Sequence, residues 1–263
     1  MNNLEKQMVE ILTDLKNNHH VVGVKAEFET EGTRLEEALR LKDVVSRAGL
    51  DMVIKIGGCE AIKDMHDARL IGVSTIVAPM IESPYAAKKY TKALKAAYKD
   101  EEERNNTKFL INIETKYGMQ YLQEILSADF AQDITGIVFG RTDMTGSLGM
   151  TNDDVDSEVI FEIAQKAAEL TQKYNKELVM GGAVTRRSLP FFKRLPQGAI
   201  KRFETRKVIF DAQSIYDESA AEGILKAFEF EIMWVQNKQN YYGAISKEDE
   251  GRVETLRARS LLS

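Results

Sequence analysis

The sequence predicts an α/β chain folded as a (β/α)8 TIM barrel with a C-terminal helical arm, and three observations carry that reading. Helix-like and strand-like segments alternate along most of the 263 residues. The strand-like segments are near-continuous Val/Ile runs, as in a parallel sheet covered by helices on its outer face. The length suits one large domain, and no glycine-rich dinucleotide turn follows the first strand to favour an open doubly wound sheet, the competing architecture.

Each element has its own signal. Leu4, Met8, Ile11, Leu12 and Leu15 recur at helical spacing over Asn3 to Lys16. VVGVKAEF then reads as a strand and TRLEEALRLKDVVSRA as a helix stopped by Gly49. Strand DMVIKIGG, helix CEAIKDMHDARLIG and strand STIVAPMIES follow. Pro84 suits the first turn of helix PYAAKKYTKALKAAY, which a charged loop, KDEEERNNT, separates from strand KFLINIET. Helix YGMQYLQEILS, strand ITGIVFGRTD, a polar stretch around TNDDVDSE, helix EVIFEIAQKAAELTQKY and strand ELVMGG continue the alternation. TRRSLPFFKRL reads as a short helix, AIKRFETRKVIF as a last strand, and Ala212 to about Gln236 as a long final helix. Seven strands are clear, so the eighth that closure requires is expected near the N-terminus or within residues 184–211. Residues 1–236 form the expected single barrel domain. Residues 237–263 form an arm, polar at first and helical at its end, expected to pack on a neighbouring subunit of a homo-oligomer.

Composition narrows the partners. A net charge of -5 argues against nucleic acid, which needs a concentrated basic surface, while leaving room for a small anion in a locally basic pocket. A single cysteine, Cys59, rules out an intramolecular disulfide and a cysteine zinc cluster. No apolar run approaches a membrane span, and MNNLEKQMVEIL lacks the basic start and apolar stretch of a signal peptide. The expectation is a reduced, cytoplasmic protein.

In either α/β architecture the chemistry belongs at the carboxyl ends of the strands. Glu114 and Asp143 end consecutive strands and are expected to project over the mouth close together. Two neighbouring carboxylates repel unless a proton or cation lies between them, and a hard cation such as Mg²⁺ uses one or two carboxylates. The alternative is that both cap the helices that follow. The Gly140–Gly149 loop, GRTDMTGSLG, favours the cation, because its glycines let the backbone approach a ligand and its amides can hold an anion. Within it Arg141 either grips a substrate carboxylate or phosphate bidentately or pairs with Glu82 or Glu114. Glu82 itself reads as the cap of the helix starting at Pro84, and Glu204 with Arg206 as an internal ion pair. His19 and His20 precede the first strand, at the wrong end of a barrel, and His66 sits on an outer helix. Cys59, without a partner His, reads as a packing residue.

The segments VAPMIESPYA, FLINIETKYG and GIVFGRTDMTGSLGM resemble the HpcH/HpaI aldolase and citrate lyase beta-subunit family of the phosphoenolpyruvate/pyruvate barrel superfamily. In that family a "vPMvE" strand precedes an "IET" strand and an "fG-x-x-D-l-x-x-x-lG" loop. The likeness runs from about Val21 to Phe210 and is most specific over residues 75–149. It implies a pyruvate-type barrel in which Glu114 and Asp143 hold Mg²⁺ or Mn²⁺, and a 2-oxo acid or related carboxylate as substrate. Lys55 takes the place of a basic residue, usually Arg, that stabilises the enolate oxygen, a point charge instead of a planar fork. The family's acid-rich "D-G-E-H" strand end corresponds to Glu27-Phe28-Glu29-Thr30, without the His, so the base falls to Glu29 or a metal-bound water. The resulting expectation is a metal-dependent carbon–carbon lyase or aldolase. Lys55, Glu29 and Arg141 would be its catalytic residues, and Lys55 with Gly140, Arg141, Thr142 and Asp143 would bind substrate. Two other readings keep the barrel: phosphoryl or acyl transfer on a phosphoenolpyruvate-like ligand, and a catalytically inactive binding subunit.

Overall fold

A computed structural model describes residues 1–261. Helix α1 (Asn3–Asn18) starts at a reciprocal cap, Asn2 accepting from the Glu5 amide while Glu5 accepts from that of Asn2, and buries Met8, Leu12 and Leu15. Then come β1 (Val21–Glu27), α2 (Leu35–Arg47), β2 (Asp51–Lys55), α3 (Ile62–Ile71), β3 (Thr75–Ala78) and α4 (Pro84–Ala97). The charged loop holds a short helix, α5 (Glu101–Asn105), because Asp100 caps the Glu103 amide. The chain continues through β4 (Lys108–Ile113), α6 (Lys116–Ser127), β5 (Gly136–Gly140), α7 (Arg141–Ser147), α8 (Glu158–Lys173), β6 (Glu177–Gly181) and α9 (Leu189–Arg194). It ends with β7 (Arg202–Glu204), β8 (Val208–Asp211) and α10 (Ala220–Ser260).

The eight strands close into a barrel in sequence order. Strands β1 to β7 are parallel, while β8 runs antiparallel to both β7 and β1. The segment expected as one last strand is therefore a hairpin, and it supplies the eighth strand from within 184–211. Thr205 makes the turn: its amide donates to the Val208 carbonyl at 3.0 Å and its hydroxyl accepts from the Val208 amide at 3.1 Å. Arg206 belongs to this turn rather than to a strand.

Because β8 descends, α10 begins at the foot of the barrel, where the Ser219 hydroxyl meets the His19 ring at 3.1 Å. It then climbs antiparallel to α1. Asn2 donates to Asn237 at 2.8 Å and Tyr242 donates to Glu37 at 2.7 Å, beside the strand ends. The helix starts eight residues later than expected, after a 3-10 turn at Ala212–Tyr216, and runs unbroken past Gln236 to Ser260. Residues 243–260 are exposed throughout, and the last two residues of the expected arm lie outside the described residues.

Two apolar layers position the site. One fills the space between sheet and helices. The other, Val53, Val77, Leu110, Val138, Val179 and Ile209, plugs the barrel lumen. At about 1.5–3 kcal/mol for each buried aliphatic side chain the plug is a substantial stabilising layer, and it forms the floor of the mouth. No described helix is long and apolar enough to cross a membrane.

Candidate active site

Side chains two residues beyond the plug face the same lumen, one step nearer the mouth. On β2 that step runs from Val53 to Lys55. On β4 it leads from Leu110 to Asn112 and on to Glu114, on β5 to Gly140 and on β6 to Gly181. Lys55 and Glu114 belong to strands separated by β3, so the 3.7 Å between Lys55 Nζ and Glu114 Oε2 spans the lumen. Glu114 is buried and held at both oxygens: Met80 N–H donates to Oε1 at 3.0 Å and the Asn112 amide to Oε2 at 2.7 Å. Met80 reaches this position with a left-handed backbone, φ 49°, an uncommon conformation for a side-chain-bearing residue. Gly140 leaves the room that Glu114 occupies, since a Cβ there would lie 2.8 Å from Glu114 Cβ and 2.9 Å from Oε2.

Burial pushes the Glu114 carboxyl upward. Lys55, the Met80 amide and Asn112 pull it back, Asp143 adds to the rise, and the net position is above the usual range. Asp143 is exposed in the first turn of α7. Glu29, in the bend after β1, lies 2.9 Å from Lys55 Nζ. Burial alone would lower Lys55, but Glu114, Glu29 and Glu27 more than offset it, so the ammonium is held above its ordinary value.

Lys25 forms a second cross-lumen contact, bridging Glu204 at 2.6 Å and Glu27 at 3.1 Å. The expected Glu204–Arg206 pair is thus replaced: Glu204 takes Lys25, while Arg206 and the buried Lys207 both reach Glu31, at 3.2 and 2.6 Å. Burial raises the Glu27 carboxyl, but Lys25, with Lys55 and Arg206, brings it below its ordinary value. Lys25, Glu27 and Asn112 lie at strand ends in the sequence reading but carry no catalytic, substrate-binding or metal role there. Period-two alternation back from Glu114 is the signal that points to Asn112, and the charged end of the first strand, Lys25 to Glu31, is the one that points to the other two. Glu82 accepts from the Thr115 hydroxyl at 2.7 Å, and the cap of α4 is Ser83.

Arg141 departs from the expected substrate grip. Its side chain is fully buried, with Nε on the Gly181 carbonyl at 3.1 Å, Nη2 on the Gly182 carbonyl at 2.7 Å and on Ser188 Oγ at 3.1 Å, and Nη1 on Asp156. Phe191 and Phe192 flank the guanidinium at 5.2 and 5.0 Å. Burial draws its pKa down to about 10, with Asp156 opposing, so the cation persists. A guanidinium so engaged locks the start of α7 to the end of β6 and positions Thr142 and Asp143. Gly182, at φ 83°, completes this junction: a Cβ there would fall 2.5 Å from the Thr142 nitrogen. The histidines lie away from the mouth, His19 and His20 at the foot beside Ser219 and Asp217, and His66 exposed on α3. Cys59 is half-buried after β2.

Among the described residues no three or more His, Cys, Asp or Glu side chains are grouped to hold a metal. The oxygen donors present at the mouth are Glu114 and Asp143, with the Asn112 carbonyl oxygen buried and lacking a donor. Glu29 and Glu114 share one lysine, Lys55, and Asp143 adds its charge beside Glu114, leaving an excess of negative charge.

Comparison with known proteins agrees with the fold. A crystal structure of an HpcH/HpaI aldolase from Desulfitobacterium hafniense superposes with a TM-score of 0.62 at 12% identity, covering 75% of this chain and 81% of that one. The citrate synthase SbnG gives 0.60 at 14%, covering 89% and 90%. An HpcH/HpaI aldolase/citrate lyase family protein from Burkholderia cenocepacia gives 0.61 at 11%, covering 88% and 90%. No curated protein matches the sequence significantly. The sequence model of HpcH/HpaI aldolase/citrate lyase matches residues 26–181, more than half of the chain and all of the strands from β2 to β6. The chain therefore belongs to the HpcH/HpaI aldolase/citrate lyase family.

Proposed function

We propose that the barrel mouth makes or breaks a carbon–carbon bond next to the carbonyl of a 2-oxo acid, by way of its enolate, with Mg²⁺ or Mn²⁺ held by Glu114 and Asp143. Family membership supports an aldolase- or lyase-type reaction. The observation that carries the finer reading is Glu114, fixed by the Met80 amide and Asn112 with Lys55 3.7 Å across the lumen. An all-oxygen donor set, surplus negative charge and the unpartnered Asn112 oxygen fit a hard divalent cation that keeps part of its water shell. When bound, such an ion supplies Lewis acidity toward the 2-oxo acid.

The chain's own residues do the rest. Lys55 stays protonated, so it serves as a fixed positive charge beside the developing enolate oxygen and not as a base. The carboxylate 2.9 Å away, Glu29, is the group placed to take a proton from the carbon next to the carbonyl. The Gly140–Asp143 segment offers backbone amides and the Thr142 hydroxyl to the substrate carboxylate, and Arg141, committed to the β6 end, holds that segment in place. The valine-rich plug beneath keeps bulk water from approaching from below.

Pyruvate in D₂O tests this without knowledge of the second reactant. Exchange of its methyl protons, followed by NMR, is expected with Mg²⁺ or Mn²⁺. It should vanish in Glu114→Gln and fall by about 100-fold in Lys55→Met, the scale of losing one aligned electrostatic group. Absence of exchange with every divalent ion tried would sink the assignment.

A further inference from the structure

The outward face of α10 carries a repeat that the barrel does not use. Leu225, Phe228, Ile232 and Val235 recur at alternating steps of three and four residues. The same register runs on through Gln239, Tyr242, Ser246 and Asp249 to Val253 and Leu256. That alternation is the seam of a two-stranded coiled coil. The helix holds its own barrel through a different set, the buried Ile224, Ala227, Phe230 and Trp234. On the seam Leu225, Ile232 and Val235 are 48 to 64% exposed, and Val253 and Leu256 are 45 and 62% exposed. Phe228, Ile232, Val235 and Gln239, with Arg206 and Lys207 of the β7–β8 turn, wall a groove of about 720 Å³.

We infer that α10 pairs antiparallel with α10 of a second copy, the arm of each lying along the groove of the other. Leu256 then faces Ile232 across the pair, Val253 faces Val235, and Asp249 faces the Gln239 amide. Ile245 meets its own counterpart at the two-fold axis. Charge supports this direction. Glu229 and Glu231 flank Ile232, with no base from residue 227 to 237, while Arg257 and Arg259 flank Leu256, with no acid from 255 to 260. Glu229, Arg257 and Arg259 have no ion-pair partner among the described residues. Antiparallel pairing sets Glu229 beside Arg257 and Glu231 beside Arg259. The like-charged neighbours it creates, Lys238 and Arg252, each keep an acid of their own, Glu37 at 3.6 Å and Asp249 at 2.9 Å. A parallel pair would instead stack Asp249 on Asp249 and bring Arg252 beside Arg257, contacts between like charges. The polar middle of the seam, Gln239 to Asp249, weakens the pair but fixes its register. Both copies use the same surface, so the contact closes at two.

Cross-linking of the full chain reads the direction of the pair. In a Cys59→Ser background, chains carrying Val235→Cys or Val253→Cys are oxidised separately, and again after mixing. A disulfide-linked dimer is expected only in the mixture. Sedimentation over a concentration series reads the charges. The parent chain is expected to self-associate, Arg257→Glu to raise the dissociation constant about 10-fold, and Glu229→Arg in the same chain to restore it. Cross-linking of Val253→Cys with itself would make the pair parallel and overturn the inference. So would a mixture without cross-links, a parent chain that is monomeric at every concentration, or a double variant that recovers nothing.

Discussion

Gly140 and Arg141 are neighbours with opposite tasks, one leaving space and the other filling it. Gly140→Ala would press a methyl against Glu114 Cβ and Oε2, each under 3 Å away, and the carboxylate must turn off the Met80 amide or the Asn112 amide to make room. Mn²⁺ affinity, measured by calorimetry or by electron paramagnetic resonance, is expected to drop about 10- to 100-fold, as for loss of a ligand's orienting partner. The thermal transition should move little, since the strand itself is kept. Arg141→Met should do the reverse. It leaves Asp156 and the Gly181 and Gly182 carbonyls without donors, and a loss of about 3 kcal/mol in urea denaturation is expected. An unchanged urea midpoint would return Arg141 to the substrate.

Helices α1, α2 and α10 meet at one carboxylate. Glu5 is almost fully buried and receives Arg40 through Nε at 2.6 Å and Nη2 at 2.5 Å, the Asn2 amide at 2.8 Å and Asn237 at 3.3 Å. Burial raises its carboxyl, but Arg40 and the amide donors prevail, and the folded value lies below the ordinary 4.5. A depressed folded value means the contribution is complete above the unfolded value and is lost as pH falls through the folded one. Wild type should therefore lose more stability than Glu5→Gln between about pH 6 and pH 3, read as the shift in urea midpoint. Equal losses would remove Glu5 from the acid response.

The same elements show what was legible in the residues. Strands β1 to β6 declare themselves because a buried parallel strand needs apolar side chains on both faces, a local requirement. Glu114 and Asp143 stand out because strand ends and their loops are local too. The β7–β8 hairpin does not, since FETRKV contains no Gly, Pro or Asn, and its turn depends on distant Glu231, which accepts from the Thr205 hydroxyl and the Lys207 amide. The engagement of Arg141 was hidden for the same reason: its acceptors lie 15 to 47 positions further along the chain. The distal part of α10, interrupted by Gly243 and Gly251, reads locally as a poor helix, yet it grows from a base stapled to α1 and α2.

As a whole the molecule carries an exposed helical extension beyond a closed barrel. Its outer turns present Ile245, Val253 and Leu256, 42 to 62% exposed, on a segment with no packing partner in the described chain. A free helical stretch of this length gains its stability from tertiary contact more than from propensity. We propose that a second copy of the chain supplies that contact. Full-length protein is expected to sediment as an oligomer and a chain ending at Tyr242 as a smaller species. Identical sedimentation of the two would rule the arm out as the contact.

The single reversed strand has a practical side. With β8 descending, α10 climbs to the strand-end side of the barrel, and Asn2, bonded to Asn237, brings the first residues there as well. The first residues and the Asn237–Tyr242 turns of α10 thus sit beside the strand ends, and the exposed turns from residue 243 project beyond them. Tethering the protein to a bead or sensor surface through its first residues would crowd the entrance. Attachment sites for immobilised assays belong at the foot instead, for instance on the exposed Gln213.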